Sequence, residues 1–159
     1  MPEQPRAPVS AGSAEPPRPG SGDSPVPRLE EVGLALKQLQ WRHHREANRR
    51  LADAGLSLVQ WDVLRHLAKQ PGISLHALAE LTFQTDQSMG ALARRMIDRG
   101  LIERVHGPGR PARHQLTPAG QHARDAGERV MAGVLTSTLG QLSPDQLTAL
   151  NQLLRQAGR

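Results

Sequence analysis

Cysteine and tyrosine are both missing from the 159 residues, phenylalanine occurs once and tryptophan twice. Without thiols, disulfides, cysteine-ligated zinc and thiol redox sensing are excluded. With Phe83, Trp41 and Trp61 as the whole aromatic complement, the core drawn from the 37% hydrophobic content must be aliphatic. Leu and Ala dominate it, which favours helices over sheets. No apolar run approaches the roughly 18 residues that span a bilayer, and no signal-peptide core opens the chain, so the expected location is the cytoplasm with no membrane partner. Lysine is scarce as well, at Lys37 and Lys69 alone.

The remaining basic residues are Arg, whose planar fork suits phosphate and guanine better than an ammonium does. A GC-rich genome would also favour Arg codons, so placement matters more than number. The net charge is +5, and Arg94, Arg95, Arg99, Arg104, Arg110 and Arg113 fall within one short stretch. Catalytic signatures are absent: there is no nucleophile elbow, P-loop or dinucleotide-binding glycine motif, and an enzyme is not expected. Seven histidines invite a metal. His43 and His44, adjacent on a helix, point about 100° apart and chelate poorly together. No His-x-x-x-His pair exists, so no metal and no cofactor is expected; a haem or zinc sensor using His43, His44 or His66 ranks last.

Residues 1–27 hold eight of the thirteen prolines and almost nothing to bury, the composition of a disordered tail. The expected domain is 28–159. A first helix is expected from Leu29 to Asp53, with Leu29, Val32, Leu36, Leu39, His43, Ala47 and Leu51 on one face. Ser57-x-x-Gln60 opens a second helix as a capping box, its apolar face formed by Leu58, Trp61, Leu64 and Leu67 or Ala68. Pro71-Gly72 closes it, and Ser74 caps a short third helix over 75–81 that turns near Thr82-Phe83-Gln84. Thr85 caps a fourth, with Asp86 in its first turn complementing the helix dipole. Met89, Leu92, Ala93, Met96 and Ile97 form its core stripe, and the opposite face collects Gln87, Ala91, Arg94, Arg95 and Asp98.

Two short strands, 101–105 and 114–117, flank the basic turn Gly107-Pro-Gly-Arg-Pro-Ala-Arg113. Thr117-Pro118 then opens a fifth helix to about Leu139, with Ala119, Ala123, Ala126, Val130, Val134 and Leu135 as its apolar positions. Ser143-Pro-Asp-Gln146 opens a sixth, carrying Leu147, Leu150, Leu153 and Leu154. A helix followed at once by an Arg-tipped hairpin matches the major groove and the neighbouring minor groove of double-stranded DNA. The expected fold is mainly α, a winged helix-turn-helix with a small β-hairpin wing, flanked by N- and C-terminal dimerisation helices.

Leu56-Ser-Leu-Val-Gln-Trp-Asp-Val-Leu64, Gly72-Ile-Ser-Leu-His-Ala-Leu-Ala-Glu80, Arg99-Gly-Leu-Ile-Glu-Arg104 and Leu116-Thr-Pro-Ala-Gly120 resemble the successive landmarks of the MarR family of bacterial winged-helix regulators. The resemblance covers roughly residues 29–156. It implies a homodimer on a pseudo-palindromic operator, with a DNA-binding lobe at about 57–117 and dimerisation helices at about 29–53 and 118–156. Apolar stripes on both terminal helices, larger than the central lobe can cover, point the same way. The DNA-binding residues are then Thr85, Gln87, Ser88, Ala91, Arg94, Arg95, Arg110, Arg113 and His114, with Arg113 and Arg110 reading a narrow minor groove. For His114 two readings stand, a contact to the DNA backbone or an exposed strand residue.

The pattern departs from the family at three places. The wing has Gly107-Pro-Gly109 where acidic residues are usual, Asp86 takes an early basic position, and Gly90 and Ala91 replace polar readers. The resemblance also implies an effector pocket between the dimerisation helices and the DNA-binding lobe, with Trp41, His44, Trp61, Asp62 and Arg65 as candidates, although for Trp61 a plain core position is the favoured reading. The urate-responsive branch would need an Arg at Leu92, so urate is not expected. The expected function is a homodimeric, sequence-specific DNA-binding regulator, usually a repressor, released by a small-molecule effector. The alternative is a winged-helix protein–protein adaptor with weak DNA binding.

Overall fold

The computed structural model describes residues 26–105 and 113–158. The proline-rich tail and the tip of the basic turn, Arg110 included, lie outside the described residues. Six helices and one hairpin follow in order: α1 (Leu29–Ala52), α2 (Leu58–Lys69), α3 (Leu75–Leu81), α4 (Asp86–Asp98), β1 (Ile102–Val105), β2 (Arg113–Leu116), α5 (Pro118–Leu139) and α6 (Pro144–Ala157). The strands are antiparallel, with Ile102 opposite Leu116 and Arg104 opposite His114. This is the expected winged helix-turn-helix.

The helix starts follow from their caps. Ser57 Oγ accepts from the Gln60 N–H at 3.3 Å while Gln60 Oε1 accepts from the Ser57 N–H at 2.9 Å. Ser143 and Gln146 repeat that exchange at α6. Thr85 accepts from Ser88 N–H at 3.1 Å and Thr117 from Gly120 N–H at 3.0 Å. Each satisfies a donor the first helical turn leaves free. β1 starts one residue later than expected and β2 ends one residue earlier, because Leu101 and Thr117 are already engaged; β2 also takes in Arg113. The Leu101 N–H closes α4 on Met96 O at 2.9 Å, and Thr117 serves as the cap of α5.

The core is one cluster, with Leu51, Leu64, Leu67, Leu78, Met89, Met96 and Ile102 fully buried. On α4 the expected stripe is buried, with Ile97 at its half-buried edge. The apolar face of α5 needs correction. Of the expected positions Val134 is buried and Ala123, Ala126 and Val130 are half-buried, but Ala119 and Leu135 are exposed, and Gly120, Gly127 and Met131 join the buried face. A Cβ on Gly120 would stand 1.8 Å from Leu101 O, and one on Gly127 would stand 2.2 Å from Trp61 Cδ1. The helix therefore packs through its bare backbone, on a face that a search for large apolar residues passes over. Only the C-terminal end of the α1 stripe, Ala47 and Leu51, reaches the core; Leu29, Val32 and Leu36 are exposed. No residue of α6 is buried.

Candidate nucleic-acid interface

The helix-turn-helix is α3–α4, and α4 shows one buried face and one open face. Gln87, Arg94 and Arg95 are exposed and Ala91 is half-buried. At its N-terminus Thr85 Oγ1 both accepts from Ser88 N–H and donates to Ser88 Oγ at 2.9 Å. These hydroxyls set the helix start and remain solvent-facing. Asp86 lies within 3.0 Å of His76 Nδ1, with Glu80 at 3.7 Å from the other ring nitrogen. The hydrogen bond to Asp86, followed by its charge and that of Glu80, raises the His76 pKa above 6.5.

The arginine cluster divides by role. Arg99 bridges the end of α4 to the α1–α2 turn, donating to Gly55 O at 2.7 Å and Gln60 Oε1 at 3.3 Å. Arg113, at the base of the wing, donates to Gly72 O at 2.6 Å, while the Gly72 N–H donates to His114 O at 3.2 Å. Those two bonds strap the hairpin to the α2–α3 turn. Arg94, Arg95 and Arg104 project into solvent.

His114 requires correction, since neither the DNA-backbone contact nor the exposed-strand reading survives. Its side chain is 3% exposed, packed behind the hairpin on the α4 side. Burial, then the charge of Arg104, lowers its pKa and so disfavours the charged ring, and its enclosure keeps it out of reach of a phosphate. Strand alternation alone could not have assigned it, because a four-residue strand has too few positions to define an inner face.

A second cluster lies where α2 packs on α5. Trp61 is buried against Gly127, the Arg65 guanidinium stacks 5.2 Å above the indole centroid, and Arg65 Nη2 donates to Asp62 Oδ1 at 2.7 Å. His66 beside it has a lowered pKa, from burial first and then the Arg65 charge. Two buried N–H groups here have no partner, Trp61 Nε1 and Arg65 Nε, and a third, Arg124 Nε, lies on α5 one turn before Gly127. Arg124 carries no signal in the sequence. Trp41 and His44 do not join it. Trp41 is 58% exposed on α1, in an open groove with Leu34 and Lys37, and Arg45 stacks on it at 5.3 Å. Among the described residues no group of His, Asp or Glu is arranged to hold a metal ion.

Residues 54–110 match the model of the MarR family. The regulator HosA of Escherichia coli is 32% identical over 122 residues, covering 76% of this chain and 89% of HosA. The chain belongs to the MarR family. It is a transcriptional regulator of winged-helix build. Among solved structures, the MarR-family protein Rv2887 of Mycobacterium tuberculosis in complex with DNA superposes with a TM-score of 0.67 at 26% identity, covering 86% of this chain and all of that one. Rv2887 has also been solved with salicylic acid. BpsR of Bordetella bronchiseptica, whose DNA binding is regulated by 6-hydroxynicotinic acid, superposes at 0.73 with 26% identity, covering 81% of this chain and 99% of BpsR.

Proposed function

We propose that this MarR-family protein is a homodimeric repressor that binds a pseudo-palindromic DNA operator and releases it on binding a small aromatic carboxylate. It acts in the cytoplasm and is a binding protein, not an enzyme. The observation that carries the DNA reading is the outer face of α4. Its inner stripe is buried, which holds the helix rigidly, while Gln87, Arg94 and Arg95 are exposed beside the hairpin. Gln pairs with adenine and Arg with guanine in the major groove, and Arg also neutralises phosphate. Thr85 and Ser88 at the helix start, half-buried Ala91, and Arg110 and Arg113 of the wing complete the contact set. Arg113 has guanidinium donors to spare beyond its bond to Gly72.

Dimerisation rests on the exposed apolar residues of the terminal helices. Leu29, Val32, Leu36, Leu135, Leu153 and Leu154 are between 45% and 88% exposed, on helices α1, α5 and α6. A stable lone chain rarely shows that much apolar surface, and a two-fold partner covers it with the same surface of its own. The effector reading rests on the unpartnered N–H groups of Trp61 and Arg65, stacked together on α2, with that of Arg124 on the facing helix α5 as a further donor. Buried donors without partners are rare, and a carboxylate accepts from several at once. Salicylic acid and 6-hydroxynicotinic acid, the ligands of Rv2887 and BpsR, have that chemistry.

The test is fluorescence anisotropy on a duplex recovered by selection from random sequence, with scrambled competitor, salt and salicylate as variables. Competitor-resistant binding of two protomers, weakened by salicylate, is the expected result. Binding that vanishes with competitor on every selected duplex would overturn the operator reading and leave the protein–protein adaptor. Salicylate release that persists in Arg65→Ala would overturn the effector site alone.

A further inference from the structure

Phe83 occupies a position that both the backbone and the solvent argue against. Helix α3 ends with the two hydrogen bonds of a left-handed terminus: the Phe83 N–H donates to Glu80 O at 3.2 Å and the Gln84 N–H to Ala79 O at 2.8 Å. The residue between those bonds must take positive φ, and Phe83 has φ of 55°, alone among the described non-glycine residues. Glycine ordinarily fills this place because a Cβ there meets the neighbouring carbonyl. The same chain supplies the comparison. Helix α4 closes with the same pair of bonds, Gly100 N–H to Ile97 O and Leu101 N–H to Met96 O, and there the left-handed residue is glycine.

Packing does not explain the phenylalanine either. Its side chain is 96% exposed, the most exposed large apolar residue described. A strained backbone carrying an unburied aromatic is a feature that function, not stability, retains. Its place in the fold says which function. It stands in the turn of the helix-turn-helix, two residues before the Thr85 cap and so next to the first turn of α4, the end of a recognition helix that contacts base edges in a major groove.

We propose that Phe83 is a DNA contact, packing its ring against thymine methyl groups at the rim of the major groove. This inference rests on the DNA-binding reading of α4 above. The thymine methyl is the one apolar group on the major-groove edge of the bases, and Phe is among the side chains that read it. The contact also suits the departures on α4. Gly90 and half-buried Ala91 leave little polar readout in mid-helix, so discrimination shifts to the residues at and just before its N-terminus.

The test uses the full chain, a duplex selected on the wild type, and matched duplexes with single thymines replaced by deoxyuridine. Phe83→Gly removes the ring and the strain together. Its melting temperature should equal or exceed the wild type, by up to about 3 °C, while its affinity falls about tenfold. Wild-type affinity should drop about fourfold at a contacted thymine when its methyl is deleted, and the variant should not respond there. A lower melting temperature would mean that the ring packs within the fold and would overturn the proposal. So would wild-type affinity in Phe83→Gly, or equal deoxyuridine responses in both proteins. If the wild type itself binds no selected duplex above competitor, the DNA reading of α4 fails, an outcome separate from these.

Discussion

The lobe from α2 to β2 and the helices at the two ends of the domain differ in how completely they bury what they carry. In the lobe, Leu64, Leu67, Leu78, Met89, Met96 and Ile102 are each within 2% of full burial, and even His114 is enclosed. At the ends, α6 buries nothing and α1 exposes three of its N-terminal apolar residues, Leu29, Val32 and Leu36. The contrast teaches that the lobe is finished as a single chain, whereas the ends are half of something. Leu36, Leu39, Leu135, Leu139, Leu150 and Leu154 line one apolar groove between α1, α5 and α6. A groove of that kind in water is a surface that lacks its second wall.

That comparison breaks most severely if the lobe is cut. Leu64→Ala deletes a fully buried side chain and should cost about 3 kcal/mol, read by chemical denaturation. A loss under about 1 kcal/mol would mean the lobe is loosely packed and the contrast illusory. The ends should respond differently. Leu153→Glu on α6 should leave the helical circular dichroism intact but shift sedimentation from dimer to monomer. Because two linked half-sites gain from each other, operator affinity should fall about a hundredfold. A variant that stays dimeric would show that α6 is not part of the interface.

The wing sharpens the comparison at its edge. Arg113→Ala removes the bond to Gly72 O and should lower stability by about 1 kcal/mol. It should also reduce the salt slope of DNA binding by about one phosphate. An unchanged slope would assign Arg113 wholly to the strap between hairpin and turn.

The smallest expected effect is on pH. Asp86 and Glu80 face His76 and raise its pKa above 6.5. A group with a raised folded-state pKa stabilises the fold below 6.5, and that contribution is lost as pH rises through the folded value. The same titration bears on DNA. Protonated His76 offsets the Asp86 charge at the head of α4, so affinity should weaken as pH rises through that range, by about threefold at most for an exposed pair. Asp86→Asn should flatten the profile; a profile of the same shape in that variant would remove His76 from the account.

Much of the lobe was legible because local rules and tertiary packing agree there. Ser57, Ser74, Thr85, Thr117 and Ser143 cap the helices that begin beside them, and the α4 stripe turns inward as its spacing implies. Glycine hid the rest. Gly120 and Gly127 carry the closest approaches of α5, yet no scale of hydrophobicity marks them, so the expected face missed them and took in exposed Ala119 and Leu135 beside Val134, which is buried. Arg99 and Arg113 read as two more basic residues in a cluster. That both are tied to the fold depends on a carbonyl from another element, Gly55 O or Gly72 O, standing within reach.

Residue type and spacing were therefore enough to settle the kinds of elements, most of their caps and their order, since these depend on hydrogen bonds three or four residues apart, while the family entered as a resemblance of four segments to known landmarks. The division of five expected effector residues into a cluster of buried Trp61 with half-buried Asp62 and Arg65 and an exposed Trp41 and His44, together with the enclosure of His114, came from the folded arrangement. Each depends on which face of one helix meets another, and contacts between residues tens of positions apart leave no mark on local periodicity. Phe83 stands between the two: its place in a turn is plain from the chain, but only the backbone angle and the open solvent around its ring show that the turn would be better served by glycine.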